Sequence, residues 1–157
     1  MDGGGANGGF PSARPLEHMI MEFAQPSATG RAPADWFTGE VWWDTVHPDG
    51  APSRKRANLV RFAPGARTHW HSHALGQSLH VVSGTALIGT RDGAVFAARP
   101  GELVVCPPGE EHWHGAAPDG SMEHLATWEG TEDGSPETTW LEPVTEEQYA
   151  FARGTSA

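Results

Sequence analysis

Residues 65–84 read GARTHWHSHALGQSLHVVSG, and residues 101–116 read GELVVCPPGEEHWHGA. In the first stretch His71 and His73 form an H-x-H pair. On a strand, residues i and i+2 face the same way about 6.5–7 Å apart, so two imidazoles so placed can converge on one ion with bonds near 2.1 Å. Gln77 follows His73 at an even offset and faces the same way if the strand continues. In the second stretch His112 comes after a Pro107-Pro108-Gly109 turn, so it enters from a different strand. The two stretches reduce to G-x5-H-x-H-x3-Q-x6-G and G-x5-P-x-G-x2-H.

Outward from this centre, the pattern is one of short strands. Glu40–Val46 is aromatic and β-branched, and Pro48-Asp49-Gly50 stops it. Arg56–Phe62 alternates, with Asn58, Val60 and Phe62 on the face expected to line a cavity. Further strands are expected at 77–82, 86–90, 95–98, 102–106, 122–128 and 138–144, separated by Gly- and Pro-containing turns. Spacing of about ten residues predicts an antiparallel sandwich or barrel. One helix is expected at the end, where Thr145 and Gln148 form a capping box and Gly154 a stop, with Tyr149 and Phe151 packing on the barrel. Residues 1–18, with five glycines among the first nine, read as a disordered tail, and residues 19–157 as one domain. Residues 129–137 (EGTEDGSPE) read as an exposed acidic loop.

Composition agrees with this and excludes several functions. The 157 residues include 20 glycines and 13 prolines, as a turn-rich β domain requires. A formal net charge of −10 argues against nucleic acid or an anionic membrane as partner. The basic cluster Arg54-Lys55-Arg56 reads as a solvated strand or turn. Cys106 is the one cysteine, so no intrachain disulfide can form, and its place before Pro107 suggests an apolar filler. With neither a signal pattern nor a membrane-length apolar run, the expectation is a cytoplasmic protein.

The glycines, prolines and histidines at these spacings resemble the two motifs of the cupin superfamily: Gly65, His71, His73 and Gly84 match the first, and Gly101, Pro107, Gly109 and His112 the second. The motifs occupy 65–84 and 101–116. The resemblance implies an all-β double-stranded β-helix (jelly-roll) barrel with a short C-terminal helix. It also implies one divalent transition metal per chain on His71, His73, Gln77 and His112, with manganese first and iron, nickel, cobalt or zinc as alternatives. Two positions depart from the usual pattern: Gln77 replaces a common Glu, and Ala116 a common Asn. Three imidazoles and an amide leave the ion's +2 charge uncompensated, which favours Lewis-acid chemistry.

HSHALGQ at 71–77 together with CPPGEEHWHG at 106–115 is similar, more narrowly, to small bacterial cupins that include manganese-dependent hydroxynitrile lyases. That similarity implies His124 as the acid or base acting on a small-molecule substrate, and a homodimer or homotetramer. His124 shares its strand face with Met122, Ala126 and Trp128 and is expected to point inward. His114 is expected beside the site or exposed, His69 at the rim or surface, His47 and His80 structural or exposed, and His18 inert. The activity implied is a metal-dependent lyase acting on a small carbonyl-derived substrate. An iron-dependent dioxygenase and a non-catalytic metal- or ligand-binding protein are the alternatives.

Overall fold

The computed structural model describes residues 25–47 and 52–154. Their chain forms thirteen strands: β1 (Gly30–Arg31), β2 (Phe37–Thr38), β3 (Val41–His47), β4 (Lys55–Phe62), β5 (Arg67–Thr68), β6 (His71–His73), β7 (Gln77–Ser83), β8 (Ala86–Thr90), β9 (Val95–Ala98), β10 (Leu103–Cys106), β11 (His112–Ala116), β12 (Met122–Glu129) and β13 (Thr138–Trp140). One helix, α1 (Glu146–Gly154), follows. All the strand pairings are antiparallel. One sheet has the order β1-β3-β4-β12-β7-β10; the other runs β13-β6-β11-β5-β2, with β8 beside β11 and β9 beside β8. This is the jelly-roll barrel expected from the motifs. The tail at 1–18 and the Pro48-Asp49-Gly50 turn lie outside the described residues.

The core forms where the apolar faces of the sheets meet. Val60, Phe62, Leu79, Val81, Met122 and Ala126 of the first sheet pack with Phe37, Ala86, Ile88 and Ala116 of the second. Burying such side chains provides about 25 cal/mol per Å² of apolar surface, the main favourable contribution to a sandwich. Alternation along β12 (Met122, His124 and Ala126 buried; Glu123, Leu125 and Thr127 partly exposed) follows the period-2 pattern of a strand with one covered face.

Two glycines set the path of the chain. Gly84 has φ +72°, and a Cβ there would run into the carbonyl oxygen of Ser121, so the β7–β8 turn can lie on the start of β12 only without a side chain. Gly76 has φ +84°, and a Cβ would come within 2.8 Å of the Cys106 carbonyl oxygen. It lies between β6 and β7, where the chain turns from one sheet into the other.

The C-terminal helix is capped as its sequence suggests. Thr145 N–H donates to Gln148 Oε1 at 2.9 Å, and Gln148 N–H donates to Thr145 Oγ1 at 3.1 Å. Tyr149 is buried and donates its hydroxyl to the Ala116 carbonyl at 2.8 Å. Buried Arg67 lies over the Tyr149 ring at 4.6 Å and reaches Glu146 at 2.6 Å. The helix therefore closes over β5 and β11. Phe151 lies beyond the side chains described. Among the described residues no helix is long and apolar enough to cross a membrane.

Several expectations need correction. The strand expected over 138–144 ends at Trp140, because Pro143 has no N–H to continue a ladder, although Leu141 and Glu142 still bond the backbone of Trp70. The short strands β1, β2 and β5 were not expected; two-residue bridges carry no periodicity to read. The loop at 129–137 is largely exposed, as expected, and is also held at both ends. Arg54 donates to the Gly130 carbonyl at 3.1 Å and pairs with Glu132, and Arg56 pairs with Glu137 at 3.3 Å. The basic cluster thus clips the acidic loop.

Gly84→Ala should therefore lose on the order of 2 kcal/mol of stability, from the positive φ and the crowded Ser121 carbonyl together. Chemical denaturation checks this. An unchanged midpoint would mean that the turn relaxes freely.

Candidate metal centre

The three motif histidines meet between the sheets. His71 and His112 are directly paired across β6 and β11, and His73 lies two residues along β6. One ring nitrogen from each lies within 4.8 Å of the others, and all three side chains are buried. Their backbones decide which nitrogen is free. His71 Nδ1 lies 3.0 Å from the His69 carbonyl, and His112 Nδ1 lies 2.9 Å from the Glu110 carbonyl. A carbonyl only accepts, so each Nδ1 carries the proton and each Nε2 keeps its lone pair for a metal. His73 Nδ1 meets Thr138 Oγ1 at 3.2 Å, while its Nε2 is buried without a hydrogen-bond partner.

Gln77 reaches the group by a route the sequence did not suggest. The strand carrying His71 and His73 does not continue to it. Ala74, Leu75 and Gly76 form a turn, and Gln77 opens β7 in the opposite sheet, paired with Cys106 on one side and Trp128 on the other. Its side chain still points inward, with Oε1 3.0 Å from His112 Nε2. With Nδ1 protonated, His112 Nε2 presents a lone pair to an oxygen that also has only lone pairs. Two donors each about 2.1 Å from one ion, at right angles, stand ~3.0 Å apart. The orphaned His73 nitrogen and these facing lone pairs fit a divalent cation. Three nitrogens and one amide oxygen leave octahedral positions open for a substrate.

Burial also sets the charge state. It lowers the pKa of His71 well below the ordinary value, assisted by neighbouring His112 and His73, and takes His73 down to about 3. His112 is lowered chiefly by burial as well. Neutral imidazoles are what a metal requires. Trp140 stacks on His71 with ring centroids 4.6 Å apart and helps to hold that ring in place.

The cluster opens into a cavity of about 390 Å³, a size suited to a small molecule. Its walls include Trp36, Phe37, Trp43, Val60, Trp128 and Trp140, and it also contacts Asn58, Thr68, His114 and His124. His124 points inward as expected and is completely buried. Of the two places expected for His114, beside the site or exposed, the structure shows the first. His114 is buried, faces the same cavity, and places Nδ1 3.0 Å from His124 Nε2. Its parity with His112 was the available signal, obscured because the strand begins at His112. Burial lowers the pKa of His124 to about 4 and, with help from neighbouring His124, that of His114 well below the usual range.

His69 is a correction: it is buried, not at the surface, and its carbonyl orients His71. His80 is exposed and His47 half-buried at the end of β3; His18 lies outside the described residues. Cys106 is buried, and burial first, then Glu110, pushes its thiol up to about 11, which suits a filler.

Two outcomes follow. The protein should carry close to one divalent ion per chain by elemental analysis, and His71→Ala should hold less than about a tenth of that; full occupancy in the variant would reject the site. For the metal-free protein, the folded pKa values of His73 and His124, about 3 and about 4, lie below the ordinary 6.5. The unfolded chain therefore binds more protons in that range. Stability should be complete above about pH 6.5 and fall as the pH drops toward 4, which thermal unfolding across that window measures.

Known proteins share this sequence pattern and fold. The cupin domain model matches residues 58–128. The (R)-mandelonitrile lyase of Granulicella tundricola is 48% identical over 122 residues, covering 78% of this chain and 92% of that protein. A cupin-like protein from Thermotoga maritima superposes with a TM-score of 0.73 at 35% identity, covering 84% of this chain and 97% of that one. The polyketide cyclase RemF from Streptomyces resistomycificus shares the fold with a TM-score of 0.64 at 18% identity, covering 85% of this chain and 94% of that one. With its barrel, its two motifs and its buried histidine cluster, the chain belongs to the cupin family and resembles the hydroxynitrile lyase-like cupins within it.

Proposed function

We propose that this cupin is a metal-dependent lyase that cleaves a small hydroxynitrile into a carbonyl compound and hydrogen cyanide. The observation that carries the reading is the His114–His124 pair, buried in the cavity that also contains the three-histidine cluster. The mandelonitrile lyase similarity supports it.

A divalent ion on His71, His73, Gln77 and His112, with manganese the first choice, would supply Lewis acidity to an oxygen in its open positions. The protein's own groups handle the proton. Held to a pKa of about 4 by burial, His124 is unprotonated at neutral pH and available as a base. Its Nε2 is 3.0 Å from His114 Nδ1, so the two rings share one proton and repel a second. The pair takes the hydroxyl proton as the carbon–carbon bond breaks. The bonding electrons leave with the cyanide carbon, and the same proton is returned to it. Tryptophan-lined walls keep bulk water from competing for that proton.

Manganese-loaded protein should release benzaldehyde from mandelonitrile above the uncatalysed rate. Chelation should remove the activity, and His124→Ala should lower kcat by roughly 10²-fold or more while metal content stays near one. No metal-dependent release by the unmodified protein would end the lyase reading.

A further inference from the structure

The hydroxyl, amide, imidazole and carboxylate groups of the cavity are nearly all engaged. Thr68 Oγ1 accepts the His114 N–H at 3.1 Å, Thr138 meets His73, Glu137 pairs with Arg56, and Gln77 meets His112. His71 is held by the His69 carbonyl, and His114 by His124. Asn58 is the exception among these classes; beyond them the buried indole N–H of Trp128, and one ring nitrogen each of His73, His114 and His124, also lack partners among the described residues. Its carboxamide lines the cavity and has no hydrogen-bond partner among the described residues. It stands on β4 directly opposite Ala126, whose small side chain leaves space beside it. His124 pairs with Val60, one same-face row farther along, so Asn58 is about 7 Å from the row of the proton-handling histidine. That distance is comparable to the length of a substituted benzene ring. The walls around it are aromatic: Trp36 and Trp140 stack with centroids 5.2 Å apart and planes 4° apart, and Trp43 packs beside Phe37.

We propose that Asn58 is a specificity-determining residue that hydrogen-bonds a ring oxygen of an aromatic substrate, so that the cavity favours hydroxy- or alkoxy-substituted aryl carbonyl compounds and their cyanohydrins over the unsubstituted parents. The carboxamide offers both a donor and an acceptor, so it can serve a phenol or an ether. The apolar walls take the ring faces, and the reacting carbon lies toward the metal and His124. This rests on the lyase reading for the identity of the reacting end; the subsite itself rests on the unpaired amide.

The test is equilibrium binding of benzaldehyde, 3-hydroxybenzaldehyde and 4-hydroxybenzaldehyde to manganese-loaded protein by calorimetry, alongside cyanohydrin formation with the same aldehydes. At least one hydroxybenzaldehyde should bind roughly five- to tenfold more tightly than benzaldehyde, the worth of one neutral hydrogen bond. Asn58→Leu should collapse the ratio of hydroxybenzaldehyde to benzaldehyde affinity to within about twofold of one, since only the hydroxylated ring loses a hydrogen bond. Asn58→Ala provides the same comparison should the leucine variant fold poorly. A preference unchanged in the variants, no preference in the unmodified protein, or no binding of any of the three aldehydes would overturn the proposal. If the binding preference holds and no cyanohydrin chemistry occurs, the lyase reading fails alone. If cyanohydrins form with a flat preference, the subsite fails alone.

Discussion

Three neutral imidazoles turned toward one another inside a closed barrel are the constraint on which the rest depends. Each buried ring must satisfy one nitrogen and leave the other facing its neighbours. The protein meets the first requirement locally, with the carbonyls of His69 and Glu110 and the hydroxyl of Thr138. It leaves the second open, at a distance where lone pairs repel unless a cation lies among them. The sheets, the turn at Gly76 and the clipped loop at 129–137 act together to bring β6, β7 and β11 to that point. The loop contributes directly, because Pro136 and Glu137 reach the cavity while Arg54 and Arg56 hold it down.

The same burial that keeps the ligands neutral also tunes the second histidine pair. His124 and His114 line the same cavity, with Phe62 packed against both at centroid distances of 5.3 and 5.9 Å. An apolar neighbour on each ring penalises charge and keeps the pair neutral. The three-histidine cluster at the β6–β7–β11 junction and the His114–His124 pair thus share one aromatic-walled cavity.

Much of this was legible in sequence where the signal was local. The H-x-H pair, the Pro107-Pro108-Gly109 turn and the inward parity of His124 needed only strand geometry. The capping box at Thr145 needed only helix-end chemistry. What escaped depended on long-range contacts. Gln77 reached the site across a turn and a change of sheet, so its even offset from His73 pointed to the right residue for the wrong reason. His69 and His114 are buried by elements distant in sequence, and no local pattern marks a histidine as covered. The role of Arg54 and Arg56 emerged only when residues about 75–80 positions later folded back onto them.

The proposed metal site consists of four neutral side chains from two sheets around one cation. An anomalous difference map from crystals of the manganese-loaded protein tests it most directly. A single strong peak per chain is expected about 2.1–2.3 Å from Nε2 of His71, His73 and His112 and from Oε1 of Gln77. A peak elsewhere, or no peak among these residues at full manganese loading, would contradict it.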